Sequence, residues 1–212
     1  MKKHILPLLA IIASLGVWVF FYSTLPAQMA NHWSIGSGEV NGYSSKLSTF
    51  LMLNGILVLL YVLLIFAPRM DPKKNNYKAF SSSYGIMTSV IMLVLSGVNI
   101  FVVLWNAGYD IPMTRIAPIV LGIIFLVIGN FMPKVRPNFF VGIRTPWALS
   151  NDSVWRKTHR FTSKLYFVSG VIFFLLVFLP ASLLNWIIIP IIVILVIVPT
   201  VHSYMVYRKE LT

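Results

Sequence analysis

Six apolar runs dominate this chain: residues 5–22, 47–67, 85–105, 116–132, 165–179 and 186–205. A helix needs roughly 20 apolar residues to cross a bilayer. In hydrocarbon every backbone polar group must find its partner inside the protein, so spanning segments are helices or closed barrels. Runs of this length are helices, and the predicted fold is all-α: a polytopic membrane protein with six transmembrane helices. Charged residues make up only 10% of the 212, against about 25% in a soluble domain. The fifth run is the shortest and stops at Pro180. Residues 180–185, PASLLN, predict a tight turn into the sixth run, and Pro190 and Pro199 predict kinks within it.

Orientation follows from Lys and Arg, which gather in cytoplasmic loops. With the N-terminus inside, 15 of the 17 lie on the cytoplasmic side and two, Lys46 and Arg115, lie outside. Both the N-terminus and the C-terminus are therefore expected in the cytoplasm. The same distribution accounts for the net charge of +12, and no direct nucleic acid binding is expected. Trp18, Trp105 and Trp186 then fall near the outer interface, and Trp147 and Trp155 near the inner one, as an aromatic belt. Met-Lys-Lys ahead of the first run has the look of a signal peptide. The run exceeds the usual length of about 7–15 residues, and Gln28-Met29-Ala30 is a poor cleavage site, so an uncleaved anchor is expected. The chain divides into a two-helix unit, 1–79, with an outer loop at 23–46, and a four-helix unit, 80–212, with a basic cytoplasmic loop at 133–164.

Several chemistries are disfavoured. Cysteine is absent, which removes disulfides, thiolate metal sites and cysteine nucleophiles. Glu39, Asp71, Asp110, Asp152 and Glu210 all lie in loops or the tail, whereas proton-coupled transport usually places acids within the membrane. The apolar runs hold softer groups: Asn54, Ser89, Ser96 and Asn99. Ser82, Ser89 and Ser96 recur every seven residues, and Ser81, Gly85 and Ser89 every four. Both patterns predict close helix packing with interhelical hydrogen bonds. His4, His32, His159 and His202 show no metal-binding spacing, and no metal or other cofactor is expected. A hydrolytic set of His159, Asp152 and Ser153 or Thr158 is conceivable, but these residue types occur on any surface helix. No catalytic residues are assigned.

Two loops carry specific patterns. In the outer loop, Gly36, Gly38, Asn41 and Gly42 predict turns. The glycines follow no strand signal, so they make no nucleotide fingerprint. His32-Trp33 reads either as an interfacial tryptophan beside an imidazole or as part of an extracellular recognition surface. In the cytoplasmic loop, Pro133, Pro137 and Pro146 exclude a single helix. Asn151 or Asp152 predicts a helix cap. Beyond it, Arg156, Lys157, Arg160 and Lys164 share one face, and Val154, Thr158, Phe161 and Leu165 the other. A basic amphipathic helix of this kind is expected to lie on the inner leaflet before turning into the membrane. Anchoring to anionic lipid explains that charge but not the Asn, Gly, Arg-Thr-Pro-Trp and Thr-His-Arg residues around it.

Those residues form a long mixed motif: Gly129, Asn130, Pro133, Pro137, Asn138, Gly142, Ile143, Arg144, Thr145, Pro146 and Trp147, then Trp155, Thr158, His159, Arg160 and Lys164. The motif resembles the SdpI family, bacterial membrane proteins of the toxin-immunity type. Leu25-Pro26, His32-Trp33, Gly38 and Gly42-Tyr43 resemble the small membrane domain of unknown function that often precedes it, with Ala30 and Asn41 departing from its pattern. The resemblance implies a multi-pass, non-enzymatic protein of the bacterial cytoplasmic membrane, in contact with membrane lipids. It implies immunity against a secreted peptide toxin, and the outer-loop residues His32, Trp33, Gly38, Gly42 and Tyr43 are expected to sense it. It also implies a receptor role, in which the inner motif holds a small winged-helix repressor at the membrane. A basic loop does not mimic DNA and would attract an acidic patch on such a repressor. The rival readings are a transporter or lipid-handling protein, and a membrane hydrolase around His159.

Overall fold

The computed structural model describes residues 2–211. In chain order the elements are α1 (Lys2–Phe21), β1 (Gln28–Trp33), β2 (Val40–Ser45), α2 (Lys46–Met70), α3 (Asn76–Asn106), α4 (Met113–Phe131), α5 (Pro146–Ser150), α6 (Asp152–Leu176) and α7 (Ala181–Leu211). A single 3-10 turn, Met132–Lys134, follows α4. The fold is a polytopic all-α bundle bearing one short antiparallel hairpin, β1–β2. Among the described residues, five helical stretches are long and apolar enough to cross a membrane: His4–Phe21, Lys46–Met70, Asn76–Asn106, Met113–Lys134 and Ala181–Leu211. The sixth predicted span belongs to α6, whose apolar part begins only after Lys164.

Helix packing explains much of the small-residue usage. A Cβ on Gly129 would lie 2.6 Å from the Phe167 backbone nitrogen, and one on Gly170 would lie 2.6 Å from that of Leu126. Side chains at either position would drive α4 and α6 apart. Ser163 Oγ donates to the Gly129 carbonyl at 2.8 Å across the same contact. Phe173, Leu176, Leu184, Ile188 and Leu195 form the core between α6 and α7. At the end of that pair, Arg115 donates to the Val177 carbonyl at 3.0 Å, beside the C-terminus of α6.

Four sequence expectations are corrected. The predicted serine bonds between helices do not form: Ser89 bonds Gly85 one turn back on its own helix, and Ser96 is buried without a partner. The interhelical bonds run instead from Trp18 Nε1 to Asn99 Oδ1 at 2.8 Å and from Asn99 Nδ2 to Asn54 Oδ1 at 3.2 Å, linking α1, α3 and α2. Trp18 and Trp155 are fully buried rather than belt residues, because each indole N–H finds an acceptor inside the bundle. The basic helix does not lie apart from the fifth span. It is the N-terminal half of one continuous α6, capped by Asn151 Oδ1 on Ser153 N at 2.7 Å. Its buried face is Val154, Trp155, Thr158, His159 and Thr162, rotated from the predicted one, so that Phe161 is exposed and stacks on His202 with centroids 4.0 Å apart. Finally, the outer-loop glycines do follow a strand. Gly36 and Gly38 occupy the link between β1 and β2, and Gly42 lies within β2, a hairpin and not a strand-to-helix phosphate loop. Helix α7 runs unbroken through Pro190 and Pro199.

Candidate functional site

The motif residues collect at opposite ends of the bundle. At one end the hairpin is pinned by Asn106 on α3. Its Oδ1 accepts from Ala30 N at 2.8 Å and its Nδ2 donates to Ala30 O at 2.9 Å, as a neighbouring strand would. His32 pairs across the hairpin with Gly42, where a Cβ would lie 2.9 Å from His32 Cβ. Gly38, at φ +74°, turns the tip against Thr114 of α4, and Gly36 abuts Asn185 of α7. The glycines thus let the hairpin close and seat on the helix ends.

This seating divides the five predicted sensing residues. His32 is exposed, with Nδ1 2.5 Å from Asn41 Oδ1, and Tyr43 is 64% exposed. Trp33 turns the other way and packs edge-on against Trp105 at 5.2 Å. Its Nε1 is buried without an acceptor. Trp33 also lines an apolar cleft of about 270 Å³ beneath the hairpin, with Leu53, Phe101, Met113 and Ala117.

At the other end, the loop after α4 is built around Asn138, which is fully buried. Its Oδ1 accepts from Phe140 N at 2.9 Å and Val141 N at 2.6 Å, and its Nδ2 donates to the carbonyls of Arg136 at 2.8 Å and Val141 at 3.0 Å. The Tyr77 hydroxyl lies 3.1 Å from both Asn138 Oδ1 and Asp71 Oδ2. Asp71 is only 2% exposed and also accepts from Phe139 N at 2.8 Å and Lys73 N at 2.7 Å. A buried carboxylate is tolerated when its oxygens are hydrogen-bonded in this way. Asp71 and Tyr77 were missed in the sequence, where a lone acid between a helix end and Pro72 looks like an ordinary solvated cap. Asn76 adds a bond to the Pro137 carbonyl at 2.7 Å.

The second half of the motif meets the first through His159. Its Nε2 accepts from Ile143 N at 3.1 Å, and its Nδ1 lies 2.8 Å from the Trp155 carbonyl, which assigns the proton to Nδ1. The ring stacks on Trp155 with centroids 4.0 Å apart, and burial pushes its pKa down to about 4. Gly142, at φ +115°, passes so close that a Cβ would lie 2.3 Å from Nε2. Trp155 Nε1 donates to the Val135 carbonyl at 2.9 Å. Thr145 caps α5 by accepting from Ala148 N at 3.2 Å, and its hydroxyl lies 2.5 Å from Ser203 Oγ. Pro146 takes the first helical position, where its missing N–H costs nothing. Trp147 packs on Tyr204 at 5.1 Å, and Arg144 donates to the Phe139 carbonyl. Thr158 is buried without a hydrogen-bond partner. Asn130, Pro133, Arg160 and Lys164 are exposed.

No hydrolytic set forms at His159. Its basic nitrogen is occupied by a backbone N–H and its protonated one by a carbonyl, so it has no free lone pair for a general base. Among the described residues, no group of three His, Asp or Glu side chains converges as a metal site.

A helical bundle of membrane length, with basic loops and few acids, defines a multi-pass protein of the cytoplasmic membrane. The profile of the SdpI/YfhL protein family matches residues 134–203. That of the domain of unknown function DUF1648 matches residues 9–58. The chain is 26% identical over 209 residues to the immunity protein SdpI of Bacillus subtilis, covering 99% of this chain and 98% of that one. The chain is thus similar to the SdpI/YfhL family over its C-terminal third and to one immunity protein over nearly its whole length. No solved structure gives a significant match.

Proposed function

We propose that this protein protects its cell against a secreted, membrane-active peptide, and that it passes the peptide's presence to a cytoplasmic partner. The observation that carries the reading is the seated hairpin. It presents His32 and Tyr43 to solvent above an apolar cleft lined by Trp33, on the side that the Lys/Arg distribution makes extracellular. An amphipathic peptide matches such a site, with polar contacts at the strands and an apolar anchor in the cleft. The full-length likeness to an immunity protein supports the same assignment.

The signalling half of the reading concerns the inner loop. Non-helical geometry at Phe80 supports a division into residues 1–79, with the hairpin, and 80–212, with the loop. Helix α3 runs from Asn76, which bonds the loop, to Asn106, which pins the hairpin. A peptide that binds one packing of this helix better than another would shift the loop at its far end. The loop would then dock an acidic patch on a small winged-helix repressor. Arg144 is the test residue, because it is exposed and one guanidinium nitrogen already holds the Phe139 carbonyl. Arg144→Ala should abolish repressor recruitment, read by an operon reporter, while toxin survival persists at unchanged membrane abundance. Parallel loss of both outputs would show that loop and bundle act as one unit.

A further inference from the structure

Between α3, the loop after α4 and α6 lies a cavity of about 400 Å³ whose rim is made by Lys134, Arg136, Arg156 and Arg160. Its remaining walls include Ser83, Trp155 and His159, and no acid lines it. Among the described residues, none of the four cations is ion-paired. Glu210 is near enough to Arg156 for its charge to be felt, but it pairs with Lys157 at 2.5 Å. Lys134 rests over the Phe131 ring at 5.1 Å. His159 contributes no charge, since both its nitrogens are held by backbone groups. Ser83 is only 7% exposed and places a hydroxyl in the cavity wall. Four cations at the mouth of one cavity, with no acid in its lining, make a site suited to an anion.

The depth of the cavity identifies the anion. The apolar run of α3 begins at Gly85, just above Ser83, and that of α6 begins at Leu165, about one turn above Arg160. The cavity therefore lies at headgroup level, where phosphodiesters are the abundant anions. Arginine forks suit phosphate oxygens in a bidentate manner. We propose that this cavity binds the phosphate of an anionic phospholipid, with Arg136, Arg156 and Arg160 as ligands and the Ser83 hydroxyl as a further donor. The site is independent of toxin recognition, and its occupancy would brace α3 against α6.

The test is native mass spectrometry of the full chain in neutral detergent, titrated with phosphatidylglycerol or phosphatidylcholine. Phosphatidylglycerol should be retained in preference. The triple variant Arg136→Gln, Arg156→Gln, Arg160→Gln should bind it at least roughly tenfold more weakly. A control with equal charge removed elsewhere, Lys73→Gln, Lys74→Gln, Lys78→Gln, should bind as wild type. Thermal unfolding confirms that both variants are folded. Equal retention of the two lipids, or equal loss in the control, would overturn the site. Inorganic phosphate that displaces the lipid at comparable concentration would assign the cavity to a free anion. A decaglutamate peptide that displaces it more effectively would assign the cavity to an acidic protein partner. Either result overturns the lipid assignment.

Discussion

Gly142 and His159 together set the geometry of the inner motif. The glycine adopts φ +115°, and a methyl group there would meet the imidazole at 2.3 Å. A residue other than glycine at such a φ costs on the order of 1–3 kcal/mol, and the clash with a buried ring adds to it. Gly142→Ala should therefore lower stability by about 2 kcal/mol or more, measured as thermal unfolding in detergent; a wild-type transition would mean that the loop relaxes freely. The imidazole itself makes a pH prediction. Its folded-state pKa of about 4 lies below the ordinary value of 6.5, so protonation favours the unfolded chain. The stability held by the neutral ring is complete above about pH 6.5 and is lost as pH falls towards 4, by about 2 kcal/mol at pH 5. His159→Gln, which keeps a donor and an acceptor, should flatten that slope between pH 6.5 and 4. An unchanged slope would assign the acid sensitivity to another group. At this scale the sequence exposed the motif but not its logic. The bond from Asp71 to Phe139 spans 68 residues, and no local pattern marks a contact of that range. Trp18 looked interfacial for the same reason, because its acceptor Asn99 lies 81 residues away.

Helices were the legible level, since their lengths are set by the bilayer and their ends by cap chemistry. Asn151 starts α6 as its residue type requires, whereas the short α5 begun by Thr145-Pro146 was not expected. The hairpin was not legible. Its register depends on Gly42 opposite His32 and on the Asn106 clamp, while its alternation of apolar and polar residues is weak. Helix α6 is the informative intermediate case. It is one helix of 25 residues, roughly 37 Å long at 1.5 Å per residue, yet its first half is basic and its apolar half is shorter than a full span. Close packing against α4 at Gly129 and Gly170 carries it alongside a membrane-length helix, so we expect it to cross. Reporter fusions after Ser150 and after Pro180 should report opposite sides of the membrane, with Ser150 cytoplasmic. Fusions reporting the same side would make α6 a non-spanning helix and would invert the placement of α7.

For the whole molecule, the central claim is protection of the cell, with the hairpin end as the part that meets the toxin. The two motifs lie at opposite ends of the bundle, so the proposed recognition and signalling would be physically separable and joined through α3. The most direct measurement confronts a strain lacking the chain with its own parent in co-culture, then restores the gene as wild type or as the double variant His32→Ala, Tyr43→Ala. Both substituted side chains are exposed on the strands, so membrane abundance should be unchanged. The account predicts that the parent kills the deletion strain, that wild type rescues it, and that the double variant rescues it at least roughly tenfold less well, as expected when contact residues of a binding surface are truncated. A deletion strain that survives as well as its parent would contradict the immunity function. Full rescue by the double variant would contradict the role given to the hairpin.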